Sequence, residues 1–486
     1  MSSTEIPAST TLRSRILGVE QEVPLLDGRM GPYINFDNAA STPPLVDVMD
    51  ALTRFLPFYS SVHRGTGFKS RLSSEAYDDA HRILTRFVGA DPTSNTVIFG
   101  KNTTEAINKL SYRLALSSDA VVLSSQLEHH SNDLPWRRTA QVVHVRATPD
   151  GRFDEDDFDR QLAEYGDRVA LVSVTGASNV SGLIPPIHRL ARKAHAAGAR
   201  ILVDAAQLAP HRRIDMRPDN DPEHLDFVVL SAHKMYAPFG TGALIGPKDV
   251  FLRSAPEYQG GGTVDVVTLD EVHWADVPDR EEAGSPNVVG AVAMAAAAAA
   301  LMDVGMDTIA EHEARLVSHC LERLCTVPGA VVYGDRDPAL AHTRVGAIPF
   351  NLEGVSHALL ASILGYEAGI GVRHGCFCAH PYVVHLLQLS EADAASWRAQ
   401  VLTGDKSNMP GMVRVSFGCY NTVEEIDRLI DMLGRISRGQ YQGRYRQLAG
   451  NGEYVPEGQP MRFDDYFSLV PGAVGSGGLP ERLCGG

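Results

Sequence analysis

A lysine set just beyond a run of apolar residues can do chemistry that a surface lysine cannot. Residues 227–242 read FVVLSAHKMYAPFGTG. Phe227 to Leu230 has the length and apolar character of a short buried strand. The chain then turns through Ser231, Ala232 and His233 and presents Lys234. The PFGTG run that follows cannot continue as regular helix. In an α/β sheet the ligand crevice lies outside the carboxyl ends of the strands. A lysine there loses hydration, its pKa falls, and the free amine can form a Schiff base.

Other strand ends supply groups of a matching kind. The run NTTEAIN sets Asn102, Thr103 and Thr104 at a helix start, where free N–H groups, hydroxyls and the helix dipole attract an anion. AVVLSS leads to His129 and His130, and LVSVT to Ser178 and Asn179. Ile201-Leu202-Val203 runs straight into Asp204, with Gln207 three residues on. A carboxylate at the end of a buried strand needs a partner to offset its lost hydration. Gly260-Gly261-Gly262-Thr263 offers amides and a hydroxyl to an anion. This inventory suits pyridoxal phosphate, whose pyridine nitrogen must stay protonated if the ring is to act as an electron sink. Lys234 meets the aldehyde and Asp204 the pyridine nitrogen. Gln207 and Asn179 offer donors to the phenolate oxygen. Thr103, Thr104, Ser231, His233 and Thr263 offer hydroxyls and N–H groups to the phosphate, and His129 can stack on the ring. His63 and Arg64, in the loop SVHRGTGFKS, are further candidates.

These residues sit in a series of short motifs: NFDNAAS, VHRG, NTTEAIN, EHHSN, SNVSG, DAAQ, SAHKMYAPFGTG, GGGT, EAGSPN, R-x-G-x-x-CA and RVSF-x-x-YNT. Over about residues 30 to 440 the chain resembles the fold-type I, class V pyridoxal-phosphate enzymes, and within them the cysteine desulfurase and selenocysteine lyase group. The resemblance implies that Lys234 carries the cofactor, Asp204 pairs with the pyridine nitrogen and His129 stacks on the ring. It implies that Thr263 reaches the phosphate of a neighbouring subunit, hence a homodimer. Arg414 would hold the substrate α-carboxylate, assisted by Arg373, with His63 a further substrate contact. Alignment on Arg373-x-Gly375-x-x-Cys378-Ala379 makes Cys378 the thiol that attacks the substrate sulfur and carries a persulfide, its thiolate stabilised by Arg373 or His374.

The expected activity is therefore that of a cysteine desulfurase, removing sulfur from L-cysteine or a related thio amino acid and leaving alanine, with a sulfur-acceptor protein as partner. The alternative is a C–S lyase, epimerase or aminotransferase acting on a larger amino acid. An inserted, helix-like segment, Tyr382 to about Pro410, separates Cys378 from Arg414 and leaves that alternative open. Cys376 would share a face with Cys378 in a strand and serve as a second thiol. The CFC spacing is too short for a zinc knuckle, and no metal site is expected. The tail ends Cys484-Gly-Gly, read as a flexible end or a sulfur acceptor.

The elements that must position these groups follow from periodicity. Strands alternate with helices up to about residue 305, which predicts a mainly parallel sheet covered on both faces. A smaller C-terminal α+β domain follows. The resemblance makes the large domain aspartate-aminotransferase-like. The expected segments are a mobile N-terminal arm (1–30), a cofactor-binding large domain (31–305), a small domain (306–440) carrying the insertion (382–410), and an extension (441–486). The 486 residues are 44% hydrophobic and 21% charged, and 44 basic against 59 acidic side chains leave a net charge of −15. That balance argues against a nucleic-acid or anionic-membrane partner. Residues 1–30 lack a basic stretch followed by an apolar core, so no signal peptide is expected. The alanine-rich run Val289 to Met302 is too short to span a bilayer and reads as a packed helix. Six cysteines in this length are no disulfide framework. They fit a reducing cytosol, and a cytoplasmic enzyme is expected.

Overall fold

The structure, a computed structural model, describes residues 12–458 and 462–469. Its main sheet is built from β1 (Asn95–Gly100), β2 (Val121–Ser125), β3 (Gln141–Val145), β4 (Val169–Thr175), β5 (Arg200–Asp204), β6 (Phe227–Ser231) and β7 (Gly242–Pro247). The strand order is β1-β7-β6-β5-β4-β2-β3. Strands β2 to β6 pair in parallel, and β7 runs antiparallel to both β1 and β6. The parallel, doubly covered sheet is as expected. The reversed β7 is the exception that a mainly parallel sheet admits: its sequence follows the PFGTG run, where the chain turns back so that Gly242 pairs with Ser231.

Side chains alternate across this sheet with period two. Ile201, Val203, Val228 and Leu230 enter one core, where α1 (Val46–Phe55), α2 (Phe68–Phe87), α4 (Ile187–Ala196) and the alanine-rich α5 (Val288–Val304) also pack. Leu202, Phe227 and Val229 enter the other, under α3 (Thr103–Leu114). Burial on both faces is why these strands read as continuous apolar runs. No single helix among the described residues is long and apolar enough to cross a membrane.

A second sheet contains β8 (Ala330–Val332), β9 (Ala347–Leu352), β10 (Arg373–Gly375) and β11 (Met412–Ser416), all antiparallel, in the order β8-β9-β11-β10. Helices α6 (Met306–Leu324), α7 (His357–Ala368) and α10 (Val423–Ile436) share its core, and so do Ile34 and Phe36. Ile34–Asn35 pairs in parallel with Ile370–Gly371. Residues read as the start of the large domain thus help build the small one.

Three further differences are local. Residues 12–30 are not a mobile arm. Leu12 and Ile16 are buried in the main core, and Glu22–Pro24 pairs with Met30–Pro32. Their one-turn spacing gives an apolar stripe that polar neighbours conceal; residues 1–11 lie outside the described residues. Helix α2 begins at Phe68, so the last part of the SVHRGTGFKS loop is helical. The insertion forms α8 (His380–Leu386) and α9 (Glu391–Leu402), and Tyr382, Val383 and Leu386 join the main core. The extension contains a hairpin, Tyr445–Gln447 against Tyr454–Pro456, and Gln447 Nε2 donates to Ser407 O at 2.8 Å. Cys484 lies outside the described residues.

Buried Glu313 of α6 links the two cores. Its Oε1 accepts from Gly346 N at 2.7 Å and lies 2.8 Å from His211 Nδ1, and its other oxygen takes Arg212. Burial alone would raise its pKa, but His211 and Arg212 outweigh it and hold the carboxyl below its ordinary value of 4.5. Breaking a buried ion pair costs about 3–5 kcal/mol. Glu313→Ala should therefore unfold several degrees lower in a thermal melt. A depressed carboxylate contributes stability that is complete above its ordinary pKa and is lost as the pH falls through the folded-state value. The difference between wild type and variant should shrink on acidification below about pH 4.5.

Candidate active site

At the carboxyl ends of β4, β5 and β6 the structure encloses a cavity of about 440 Å³. Lys234 lines it from the single turn Ala232–Lys234 that follows β6. Ser41 and Thr42 fasten that turn: both hydroxyls donate to His233 O, and Tyr236 N donates to Thr42 Oγ1 at 2.7 Å. Enclosure by protein lowers the Lys234 pKa to about 8, against the pull of Asp204. Asp204 ends β5, and its Oδ1 accepts from Ala206 N at 3.0 Å. Burial pushes its pKa up, opposed by that bond and by Lys234.

The cavity ends at the N-terminus of α3. Asn102 caps the helix by accepting from Glu105 N at 3.0 Å. Thr104 Oγ1 is 2.7 Å from Ser131 Oγ, and the buried Thr103 Oγ1 has no hydrogen-bond partner. Ser231 and His233 line the same wall. Burial drops the His233 pKa to about 4, so the ring is neutral. Gly242, where β7 begins, lies directly beneath: a Cβ there would come within 2.6 Å of Asn102 Cα. Glycine at this position lets the helix start and the strand approach each other.

His129 lines the cavity as a neutral ring, its pKa taken down to about 3 by burial and then by Lys234. Ser131 N donates to His129 Nδ1 at 3.1 Å, which leaves the ring proton on Nε2. Asn179 and Gln207 also line the cavity. Each spends one amide N–H on a backbone carbonyl: Asn179 on Phe377 O and Gln207 on Ala39 O, both at 2.6 Å.

Arg414 is buried on β11. It donates to Asn179 O at 2.7 Å and to Asp37 Oδ1 at 3.0 Å, and its Nε has no partner. Burial lowers its pKa to about 10, which leaves it cationic at neutral pH. Arg373 lines the cavity from β10 and donates to Asp37 Oδ2 at 2.9 Å. Asp37 therefore holds both arginines. Asp37 lies within NFDNAAS, and its place just past a short strand is the signal by which the sequence marks it.

Cys378 lies at the exposed rim, on a tight turn closed by Ala379 N donating to Cys376 O at 2.9 Å. Both central residues are left-handed, Phe377 at φ 51° and Cys378 at φ 55°. Each such non-glycine residue costs about 1–2 kcal/mol. The turn is held on three sides. His130 N donates to Cys378 O at 2.8 Å, Asn179 takes Phe377 O, and the Arg414 guanidinium lies 5.0 Å from the Phe377 ring centre. The CFC run is thus no strand, and its thiols do not share a face. Cys376 is buried, donates from Sγ to Pro410 O at 3.1 Å, and has its pKa pushed up to about 12 by burial.

His374 also lines the cavity. His357 Nε2 lies 3.0 Å from Met409 O and so carries a proton. Its Nδ1 then accepts from His374 Nδ1 at 3.3 Å, leaving His374 Nε2 unprotonated. Burial, His357 and Arg373 bring the His374 pKa to about 4. His374 is therefore a neutral ring in the cavity, not the cation expected to stabilise a Cys378 thiolate. Two expected residues, His63 and Thr263, lie outside this cavity. Thr263 is buried and its hydroxyl donates to Gly260 O at 2.8 Å; His63 is exposed. Arg64 donates to Val264 O at 3.0 Å and ties their two loops together.

The family model for class-V aminotransferases matches residues 34–429. The cysteine desulfurase of Haloferax volcanii is 34% identical over 412 residues, which cover 83% of this chain and 89% of the relative. That of Dickeya dadantii is 33% identical over 430 residues, covering 86% and 96%. The solved apo structure of a cysteine desulfurase from Thermococcus onnurineus NA1 has a TM-score of 0.76 at 27% identity, over 90% of this chain and 100% of that one.

Accessibility and thiol pKa sort the cysteines. Brief treatment with iodoacetamide, read by mass spectrometry of peptides, should label the exposed Cys378 and Cys325. It should spare the buried Cys320, Cys376 and Cys419, whose pKa values burial raises to about 12, 12 and 11.

Proposed function

The chain belongs to the class-V aminotransferase family, and from that premise we propose that it is a pyridoxal-phosphate-dependent cysteine desulfurase, taking sulfur from L-cysteine and leaving alanine. One observation carries the reading: a single cavity holds the enclosed Lys234 and Asp204 together with a rim thiol, Cys378, on an anchored turn. The residues fit the cofactor. Thr103 Oγ1 is a buried hydroxyl with no partner at a twelve-residue helix N-terminus, where a phosphate would complete its bonding. Asp204 is a buried carboxylate whose lost hydration calls for a cationic neighbour, such as a pyridinium N–H. Lys234 near pH 8 has a free-amine fraction for the aldehyde. When bound, the cofactor supplies an electron sink for the substrate carbon.

The protein's own groups do the remainder. The Arg414 fork, with its unpartnered Nε, takes the substrate α-carboxylate, and Asp37 keeps that fork aimed. Lys234 Nζ accepts and returns the proton at the substrate α-carbon. His129 covers the ring site and presents its Nε2 proton. The proton of the rim thiol is the one that completes the methyl group of alanine. The Cys378 sulfur then attacks the substrate sulfur: an S–S bond forms and the substrate C–S bond breaks, its electron pair staying with carbon, which ends as the methyl group of alanine. Cysteine and one enzyme thiol thus become alanine and one enzyme persulfide, with no external oxidant. An acceptor protein would take that sulfur at the rim. A homodimer is part of the proposal: the loops of His63 and Thr263 sit together away from their own cavity, beside the hairpin 264–274 with its exposed Val266, Val267 and Leu269.

Purified enzyme given L-cysteine should release alanine and retain an equal amount of bound sulfane sulfur. Cys378→Ala should keep the cofactor absorption and lose the persulfide, with alanine formation down by about 100-fold or more. Cys376→Ala should retain both. Pyruvate and free sulfide in place of alanine would mean a C–S lyase and would defeat the proposal.

A further inference from the structure

At the end of the main sheet opposite the cavity, His195, His224 and Asp226 converge. His195 is in the last turn of α4, and the other two lie in the segment that enters β6. His195 is distant in sequence from the His224-x-Asp226 pair, so the three form no recognisable ligand spacing and no metal site was expected. The main chain orients both rings. His195 Nδ1 lies 2.9 Å from Pro222 O, and His224 Nδ1 lies 2.7 Å from Asp221 O. A carbonyl oxygen only accepts, so each Nδ1 carries a proton and each Nε2 is left for something else.

Both Nε2 atoms face one carboxylate. His195 Nε2 is 2.9 Å from Asp226 Oδ2, and His224 Nε2 is 3.7 Å from Oδ1. With nothing between them, two nitrogen lone pairs would meet oxygen lone pairs. Two extra protons would resolve that, but the rings are stacked, with centroids 4.2 Å apart and planes at 17°, so two imidazolium charges would lie face to face. One divalent cation satisfies all three donors together. Two imidazoles and a carboxylate suit zinc, at bond lengths of about 2.0–2.2 Å. One ligand atom from each of the three residues lies within 4.8 Å of the other two, close enough for a single ion to draw them together. The outer hydrogen bonds that metal sites use are already present: Pro222 O, Asp221 O, and Ile201 N donating to Asp226 Oδ2 at 2.8 Å. The side chains remain 18%, 20% and 11% exposed, which leaves an outward position for water.

We propose that His195, His224 and Asp226 form a binding site for a divalent transition-metal ion, with zinc the best match. The ion would join the end of α4 to the segment entering β6, the strand whose other end presents Lys234. Its place is structural and lies away from the reaction.

The test uses cofactor-loaded full-length protein carrying Cys378→Ser, so that the rim thiol cannot compete for metal. After treatment with a chelator, the protein is titrated with zinc against a chromophoric competitor and, separately, with cobalt(II). One zinc equivalent should bind, and cobalt should give visible absorption bands of tetrahedral type. His195→Ala and His224→Ala should each weaken zinc by more than the roughly 10–100-fold that loss of an outer partner costs, with the cofactor absorption reporting an intact fold. Either histidine variant alone decides the matter if the other fails to fold. No bound zinc in the Cys378→Ser protein, or titrations unchanged by the folded histidine variant, would overturn the proposal.

Discussion

The structure depends on keeping one ammonium and one carboxylate out of water at the ends of adjacent strands. Lys234 and Asp204 are both enclosed, and each is displaced from its ordinary pKa chiefly by lost hydration. That displacement is useful only if the two groups cannot relax toward solvent or collapse onto each other. Adjacent parallel strands fix their separation, and Ser41 and Thr42 pin the lysine turn from the opposite side. The apolar strands are therefore more than filling: their burial on both faces creates the low-dielectric floor that makes the pair reactive.

A second constraint runs between the cores. Asp37 comes from a segment that joins the small-domain core, and it grips Arg414 and Arg373 on adjacent strands of the small sheet. Asn179, from the end of β4, accepts from Arg414 and donates to the cysteine turn. The Arg414 end of the cavity is thus assembled from both sheets through a few hydrogen bonds. The end that holds Lys234 and Asp204 is assembled almost wholly within one. This division explains why the two halves of the site differ in how readily the sequence disclosed them.

Residues at strand ends were legible because a buried strand must stop at a polar residue for a reason. Lys234, Asp204, His129 and Thr103 were found in this way, and all line one cavity. The parallel sheet followed from alternating elements. The antiparallel β7 did not, because a Gly-Pro run signals a turn without saying which way the chain leaves it. Cys376 was misjudged because period-two logic holds only in strands, whereas Phe377 and Cys378 adopt left-handed backbone that no residue type there announces. The roles of Asp37 and of the His357–His374 pair could not be read for another reason. Their roles are made by partners 377 and 17 residues away, and local pattern carries no such information. Residues 12–30 were called an arm because two apolar side chains one turn apart are too faint a signal among polar neighbours.

The short turn under Cys378 has a consequence for delivery. Its carbonyl is held by His130, its neighbour's carbonyl by Asn179, and its neighbour's ring lies against Arg414. A thiol mounted on so stiff a bracket has little reach. Under the proposed function, sulfur loaded there would stay at the lip of the pocket, and a recipient would have to come to it.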